Sequence, residues 1–191
     1  MVVSIFHERL SRYQARERPD LGLRKAAVLI PIQRSETIFF TQRASHLNHH
    51  QGQISFPGGR LDAGETGWQA ALREAEEEVG LAASQVVPLG RIDDVYSPLG
   101  YHIQCYVGAV SDDWTPQPNI HEVDSVIAVP LEELLDEARH SMKPWPRDPT
   151  IQVHYFDFTD AMVWGVTGWM TRILQSVLRG ESVPDLGYRL A

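Results

Sequence analysis

One segment of this chain, Gly59–Leu81, constrains the fold more than any other because its residues are spaced for two distinct faces of a helix. At about 100° per residue, Glu74, Glu77 and Glu78 fall on one face about a quarter-turn wide. The apolar side chains that fall together on the adjoining face are Trp68, Ala71, Leu72, Ala75 and Val79. The segment therefore predicts a helix over Thr66–Val79 with one buried apolar face and one acidic face.

The acidic face carries a cost that needs an explanation. Like charges three and four residues apart repel one another by roughly a few tenths of a kcal/mol per pair, and the helix macrodipole disfavours anions near the C-terminus. One interpretation is a solvated acidic helix in which Arg73 pairs with Glu77. The other is a site for Mg²⁺ or Mn²⁺, which bind clustered carboxylate oxygens. The metal site is favoured by Glu65 at the helix entrance and by the turn Pro57-Gly58-Gly59, whose glycines let the backbone approach a ligand closely. Glu76 is expected to point to water.

The fixed positions of this segment resemble the Nudix box. The matching residues are Gly59, Glu65 and the run Arg73-Glu74-Ala75-Glu76-Glu77-Glu78-Val79-Gly80-Leu81. Fixed residues spread over so long a segment are far more specific than a lone short glycine motif. The resemblance implies an α/β/α sandwich with a mixed β-sheet, in which the box forms a loop–helix–loop catalytic segment.

The resemblance also implies roles for residues in the box. The metal ligands it implies are Glu74, Glu77, Glu78 and the backbone carbonyl of Gly58. It further implies that Arg73 orients a glutamate, so that Arg73 and Glu77 are candidate catalytic residues. Divalent metal ions neutralise the oxygens of a diphosphate and lower the pKa of a bound water, so no Ser, Cys or His nucleophile is required. Some family members take a general base from a loop outside the box. Glu122 is the candidate here, with an ordinary loop carboxylate as the alternative.

A second segment, Phe40–Gly59, precedes the helix and carries polar residues suited to a phosphate ligand. Arg43 stands at the end of a predicted strand, and guanidinium forks match phosphate oxygens. The histidines of this segment could be surface residues or zinc ligands. A zinc site is disfavoured because no cysteine lies nearby and the spacing fits no familiar zinc pattern.

The second segment resembles the signature that precedes the box in coenzyme A pyrophosphatases of the Nudix family. The matching residues are Thr41, Arg43, Ala44, Leu47, His50, Gly52, Gln53, Phe56, Pro57, Gly58 and Gly59. One position departs, because Asn48 stands where the signature usually has arginine. The residues that the resemblance suggests for substrate binding are Arg43, His50, Gln53 and Phe56.

The resemblance continues downstream and covers the chain from about Lys25 to Leu178. It runs through Ser97-Pro98-Leu99-Gly100-Tyr101, through Glu122-Val123 to Val129-Pro130-Leu131, and through Val163-Trp164-Gly165-Val166-Thr167. The implied reaction is hydrolysis of coenzyme A or its thioesters to 3′,5′-ADP and 4′-phosphopantetheine or its acyl form.

Three other functions stay open. The first is hydrolysis of another nucleoside diphosphate derivative, such as NADH, ADP-ribose or a damaged nucleotide, which the departure at Asn48 keeps open. The second is a non-catalytic nucleotide sensor, although such a protein would be expected to have lost box glutamates and none is missing. The third is an RNA-cap hydrolase, which the net charge of −8 and the absence of a basic patch disfavour.

The remaining segments predict an α+β protein, since strands and helices are mixed without regular alternation. The predicted strands are Lys25–Ile32, Thr37–Thr41, Gln53–Phe56, Val86–Val95, Tyr101–Val110, Val123–Val129 and Val153–Phe158. Three helices are predicted besides the acidic one, within residues 1–18, from Pro130 to Met142 and from about Ala161 to Leu178. Lys143–Pro149 holds three prolines and is expected to be irregular. The length suggests a single domain over residues 1–191, with the catalytic box at 59–81 and the coenzyme A-type segment at 40–59.

Charge and composition narrow the partners to a small molecule. With 17 basic against 25 acidic residues, a protein that coats nucleic acid is disfavoured. The chain has no long uncharged apolar run that could span a membrane. The polar residues near the N-terminus interrupt any signal-peptide core, so a cytoplasmic location is expected. The oligomeric state stays open, with a homodimer among the options.

Overall fold

The structure is a computed structural model, and it describes residues 2–45, 52–145 and 148–185, with side chains from residue 6 onward. Its helices are α1 (Val2–Arg12), α2 (Gly67–Val79), α3 (Leu131–Leu135) and α4 (Gly165–Arg179). Its strands are β1 (Arg24–Gln33), β2 (Thr37–Arg43), β3 (Ile54–Ser55), β4 (Gly58–Arg60), β5 (Val86–Ser97), β6 (Tyr101–Val110), β7 (Val123–Pro130), β8 (His140–Trp145), β9 (Asp148–Phe158) and β10 (Ala161–Trp164). Short 3₁₀ turns cover Ala83–Gln85 and Glu137–Arg139.

Strand β1 lies at the centre of a mixed seven-stranded sheet. The order of the main path is β3-β2-β1-β6-β5, with β4 also paired to β1 and β7 also paired to β2. The β1–β6 pair is parallel, whereas β1 is antiparallel to β2 and to β4. A second, antiparallel sheet has the order β10-β9-β8.

Alternate residues of β1 face two separate cores, as successive side chains of a strand do. Ala27 and Leu29 pack under α2. Val28 and Ile30 belong to the larger core that includes residues of α1, α4 and the second sheet. The helices therefore cover both faces of the main sheet, and the predicted α+β class with an α/β/α sandwich and a mixed sheet is confirmed.

The predicted helix from Pro130 to Met142 is present only in its first turn, and its predicted end is wrong. The helix α3 ends after Leu135, and Asp136 caps the following 3₁₀ turn by accepting a hydrogen bond from the Ala138 amide at 3.0 Å. Strand β8 then begins at His140. The apolar residues at helical spacing belong to this single helical turn, whereas the residues after it pair with β9.

The prediction that Lys143–Pro149 is irregular is also wrong for the described part of that segment. Pro144 lies in β8, an edge strand of the second sheet, and Pro149 lies at the start of β9. Proline is tolerated at edge positions and strand starts because its missing amide hydrogen is not needed there.

The last predicted helix begins four residues later than expected. Ala161–Trp164 forms β10, which pairs with β9, and α4 starts at Gly165. Gly165 has a φ of 70°, a conformation that favours glycine and breaks the chain direction between strand and helix. Gly58 and Gly59, expected to lie in the turn Pro57-Gly58-Gly59, belong to the short strand β4 (Gly58–Arg60) on β1.

Candidate metal and diphosphate site

Helix α2 has well-defined ends. Thr66 caps its start, accepting a hydrogen bond from the Gln69 amide at 3.3 Å while the Gln69 side chain accepts one from the Thr66 amide at 2.9 Å. Gly80 ends it with a φ of 67°. The reciprocal pair at the start is a capping box, which satisfies amides that a helix start leaves unpaired. The predicted bounds of the acidic helix agree with the structure to within one residue.

The two faces predicted for α2 are present. Ala71, Ala75 and Val79 are buried against β1, and the small side chains of the helix bring it close to the sheet. On the other side Glu76 is exposed, as predicted, while Glu78 is only 7% exposed. The acidic face therefore turns inward at Glu78 rather than lying wholly in solvent.

Arg73 connects the carboxylates of the site. Its Nε and Nη2 donate to the two oxygens of Glu65 at 3.0 and 3.1 Å, and its Nη1 donates to Glu74 at 2.9 Å and to Glu77 at 3.1 Å. Its Nη2 also donates to the backbone carbonyl of Arg60 at 2.9 Å. The predicted pair with Glu77 is present, and Arg73 is fixed by partners on three sides.

The role of Glu65 as the main partner of Arg73 is not one that helical periodicity can predict, because Glu65 precedes the helix. Arg73 lowers the pKa of the Glu65 carboxyl, through the hydrogen bonds above and with help from the Asp62 amide. The box spacing from Glu65 to Arg73 is the sequence signal that points to this pair.

Glu78 is the most perturbed carboxylate of the site. Burial, together with the charges of Glu74 and Glu122, raises the pKa of Glu78 to about 8. The hydrogen bond from the Gly58 amide at 3.2 Å and the charge of Arg43 oppose the rise. A cation close to a buried carboxylate with a raised pKa stabilises its charged form. The Glu78 environment therefore fits a metal ligand.

Glu74 shares this environment. Burial raises the pKa of its carboxyl, Arg73 opposes the rise, and the charges of Glu77 and Glu122 add to it. Its carboxylate lies against Gly59, where a β-carbon would overlap it. At Gly58 a β-carbon would overlap the backbone of β1 at Ala27 and Val28. The two glycines thus allow β4 to pass between β1 and the acidic face.

Strand ends from outside the box converge on the same place. Arg43, at the end of β2, and Glu122 each influence the pKa of Glu78, which places their charges near it. The Ala44 amide donates to the Glu122 carbonyl and the Arg43 amide to the Gln53 carbonyl, both at 2.9 Å. Backbone hydrogen bonds therefore join the end of β2 to Gln53 in the segment before the box and to Glu122 in the loop before β7.

One predicted substrate residue, Phe56, has a different position from Arg43 and Gln53. Phe56 is only 1% exposed and stacks on Phe40 with ring centroids 4.6 Å apart, so the structure gives it a packing position in the core. His50 lies outside the described residues, as does Asn48.

Within the ranges 2–45, 52–145 and 148–185, no three His, Cys, Asp or Glu side chains converge into a complete metal cage. The hydrogen bonds explain this, because Arg73 holds Glu74 and Glu77 while the Gly58 amide holds Glu78. The oxygen-only donors and the buried Glu78 nevertheless suit a hard divalent cation. Mg²⁺, which binds few carboxylates and keeps several waters, does not need an all-protein cage.

The NUDIX domain model matches residues 23–152, more than half of the chain, and the chain therefore belongs to the Nudix family. Two relatives named Uncharacterized Nudix hydrolase NudL, from Yersinia pestis (strain Pestoides F) and Yersinia pseudotuberculosis serotype O:1b (strain IP 31758), are each 38% identical over 155 residues. The match covers 79% of this chain and 78% of theirs.

The crystal structure of a NUDIX hydrolase from Nitrosomonas europaea has a similar fold. It matches with a TM-score of 0.56 at 18% identity, over 90% of this chain and 77% of that chain. None of the helices in the described part of the chain is both long and apolar enough to cross a membrane.

Proposed function

We propose that the chain hydrolyses the diphosphate bond of coenzyme A or its thioesters, giving 3′,5′-ADP and 4′-phosphopantetheine or its acyl form. The observation that carries the proposal is the convergence of Arg43 and Glu122 on the buried Glu78 carboxylate. Arg43 belongs to the segment before the box whose sequence resembles that of coenzyme A pyrophosphatases. The same site thus joins features of the hydrolase box and of the substrate signature.

The proposed metal ligands are Glu74, Glu77, Glu78 and the backbone carbonyl of Gly58. When bound there, Mg²⁺ or Mn²⁺ supplies charge neutralisation at the diphosphate and lowers the pKa of water. Arg73 keeps Glu74 and Glu77 in position through its Nη1. The Gly58 amide keeps Glu78 oriented through its hydrogen bond.

Residues outside the box would bind the substrate and accept a proton. Arg43 would bind the diphosphate, because a guanidinium forms charge-assisted hydrogen bonds with phosphate oxygens. Gln53 is held beside it through its backbone carbonyl and would support that contact. Glu122 is exposed and close enough to influence Glu74 and Glu78, so it would take the proton from the attacking water.

The second candidate is a nucleoside diphosphate derivative without a phosphate monoester, such as NADH or ADP-ribose. It is favoured by one observation, since Asn48 stands where the coenzyme A signature has arginine. The loss of a guanidinium would weaken binding of a phosphate group but would leave the hydrolytic residues unchanged.

Product analysis distinguishes the two candidates. Coenzyme A, NADH and ADP-ribose are incubated at matched concentration with the protein and Mg²⁺ or Mn²⁺, and the products are separated by chromatography. We expect kcat/KM to be highest for coenzyme A, with 3′,5′-ADP and 4′-phosphopantetheine as products. Faster hydrolysis of NADH or ADP-ribose would remove the substrate assignment, and no hydrolysis of any of the three would remove the diphosphatase assignment as well.

A further inference from the structure

Outside the proposed metal site, two arginines lie against the ring of one tyrosine. Arg60 donates two hydrogen bonds to the phenol oxygen of Tyr101, from Nε at 2.9 Å and from Nη2 at 2.7 Å. The guanidinium carbon of Arg24 lies 4.1 Å from the centroid of the same ring, and that of Arg60 lies 5.5 Å from it. We call Arg24, Arg60 and Tyr101 the arginine–tyrosine cluster.

The cluster is built by the register of the central sheet. The parallel β1–β6 pair places Arg24 beside Tyr101, and the antiparallel β1–β4 pair places Arg60 beside Ala26. The turn before β6 holds Arg24 further, because the Leu99 carbonyl accepts a hydrogen bond from Arg24 Nη2 at 2.6 Å. The two guanidinium groups are therefore brought together by backbone pairing and by a turn, rather than by chance contact of long side chains.

The positive charge of the cluster has no carboxylate partner in the described part of the chain. Among the residues that the structure describes, neither Arg24 nor Arg60 forms an ion pair with a carboxylate. By contrast, the arginines that do form one include Arg16, Arg73, Arg91, Arg139, Arg172 and Arg179. In a chain of net charge −8, two adjacent exposed arginines without a carboxylate partner are an unusual local excess of positive charge. Like charges this close repel, and the face of the aromatic ring offsets only part of that repulsion. An anion with several oxygens would offset the rest.

The cluster adjoins the acidic face. The backbone carbonyl of Arg60 accepts the hydrogen bond from Arg73, which in turn holds Glu74 and Glu77. The preceding residue, Gly59, lies against the Glu74 carboxylate. Since Arg24 and Ala26 alternate with Ala27, which packs under α2, the side chains of the cluster project from the opposite face of the sheet, and the cluster meets the site through the Arg60 backbone.

We propose that the arginine–tyrosine cluster binds a phosphate monoester of the substrate, separate from the diphosphate that is cleaved. Two guanidinium forks can share the oxygens of one dianionic phosphate. The inference rests on the proposed function, because coenzyme A carries such a group on the 3′ oxygen of its ribose whereas NADH and ADP-ribose do not. The cluster also provides a cationic group for that phosphate in a chain with asparagine at position 48.

The first test measures binding, without turnover. The full-length protein and its variants Arg24→Gln and Arg60→Gln are titrated with 3′,5′-ADP and with 5′-AMP by calorimetry. The parent protein should bind 3′,5′-ADP about ten- to a hundredfold more tightly than 5′-AMP, the range expected for a charge-assisted contact. Each variant should lose most of that preference. Both side chains are exposed, so both variants should keep the melting temperature of the parent.

The matched control is Arg34→Gln. Arg34 is exposed in the turn between β1 and β2, at the opposite end of the sheet, and its change removes the same charge. This variant should keep the preference for 3′,5′-ADP. An equal loss in Arg34→Gln would show that only total charge matters and would overturn the inference. So would a parent protein without the preference, or variants at the cluster that retain it.

The second test compares kcat/KM for coenzyme A with that for dephospho-coenzyme A. Arg24→Gln and Arg60→Gln should each lower kcat/KM for coenzyme A about tenfold or more. They should leave kcat/KM for dephospho-coenzyme A within about threefold of the parent value. If coenzyme A is hydrolysed without any preference over dephospho-coenzyme A, the result supports the proposed function and contradicts the proposed role of the cluster. A different result would be that no coenzyme A is hydrolysed, while the parent protein prefers 3′,5′-ADP and the variants lose this preference. That result would contradict the proposed function and support the cluster as an anion-binding site.

Discussion

Gly59 lies so close to Glu74 that a β-carbon at position 59 would overlap the Glu74 carboxylate. The same carboxylate accepts a hydrogen bond from Arg73 at 2.9 Å, so it is held between a backbone and a guanidinium. The absence of a side chain at one residue thus fixes the position of a charged group on another element. This relationship explains in physical terms why a glycine begins the box.

Gly59→Ala should therefore damage the site without unfolding the protein. The new methyl group would displace the end of the Glu74 side chain, which can rotate, rather than the backbone of the sheet. We expect kcat/KM for the diphosphate substrate to fall at least about tenfold, since misplacement of a reacting group by about 1 Å can cost a hundredfold. Steady-state kinetics and a melting curve measure the two effects. Full activity in Gly59→Ala would show that Glu74 does not need this position.

Glu78→Gln tests the acidic face directly. The change keeps side-chain volume and removes the charge of the proposed ligand, so activity should fall at least ~10²-fold, as on loss of a major electrostatic contributor. Thermal unfolding of the metal-free protein should change little at neutral pH, because with a pKa of about 8 the Glu78 carboxyl is mostly protonated there and glutamine is uncharged as well. Turnover within threefold of the parent would remove Glu78 from the proposed ligands.

Glu76→Gln is the matched control for that change. Glu76 belongs to the same helix and the same run of glutamates, but it is exposed. The activity of the Glu76→Gln variant should stay close to that of the parent protein. If Glu76→Gln were as damaging as Glu78→Gln, the run would act through its total charge rather than through placed ligands.

Metal binding should depend on pH through Glu78. The pKa of Glu78 is raised from 4.5 to about 8 in the metal-free protein, mainly by burial. Because the folded state binds this proton more tightly than the unfolded chain, the contribution of Glu78 to the stability of the metal-free fold is fully present below about pH 4.5. This contribution is lost as the pH rises through 8. A cation competes with the proton, so the affinity for Mn²⁺ should rise with pH up to about 8 and then level off, with proton release on binding.

Calorimetry in two buffers of different ionisation enthalpy measures that proton release. Glu78→Gln should remove it, and an unchanged proton count in this variant would contradict the assignment.

A second group of titratable residues should make the fold sensitive to acid. His154 is buried in β9, stacked on Trp169 with ring centroids 4.2 Å apart, and a ring nitrogen of His140 lies 2.7 Å from its Nδ1. Burial lowers the pKa of His154 from 6.5 to about 3, with the charges of His140 and Arg172 adding to the effect. The unfolded chain therefore takes up a proton first as the pH falls. Stability should decrease from about pH 6.5 down toward pH 3.

Urea unfolding of the metal-free protein at several pH values between 7 and 5 measures this dependence. His154→Phe keeps a ring against Trp169 and should reduce the slope of stability against pH, although it also leaves a nitrogen of His140 without its partner. The exposed His7 offers a control, since His7→Gln should keep the parent slope. An unchanged slope in His154→Phe would exclude His154 as the source of the acid sensitivity.

The acidic helix could be predicted from the sequence because its signals are local. The periodicity of its apolar residues, the carboxylates at positions 74, 77 and 78 and the stop at Gly80 all lie within one segment, and the structure places them as expected. The local signals gave a wrong prediction where the spacing of apolar residues fits both a strand and a helix. Val163 stands at helical spacing with Val166 and Met170, but it is buried in β10, and α4 begins only at Gly165, whose φ is 70°.

The arrangement around the site could not be predicted in the same way because it depends on pairing between distant segments. Arg24 and Tyr101 meet only through the parallel register of β1 and β6, and no periodicity within either strand indicates it. The position of Phe56 in the core is a further example, since the stacking on Phe40 depends on how β2 and the turn after β3 pack together. Residue type indicates what a side chain can do, but long-range register decides what it meets.

The central position of β1 has a consequence for how activity is acquired during folding. This strand pairs with β2, β4 and β6, which come from three separate parts of the chain, and the acidic face lies over the β1–β4 junction. Of these pairings, β1–β6 joins segments far apart in sequence, and such contacts form more slowly than local ones. A growing or truncated chain that ends at Val110 would already contain every glutamate of the box, but it would lack Glu122 and the strand that backs β2. We therefore expect a chain truncated there to carry the acidic residues without hydrolytic activity.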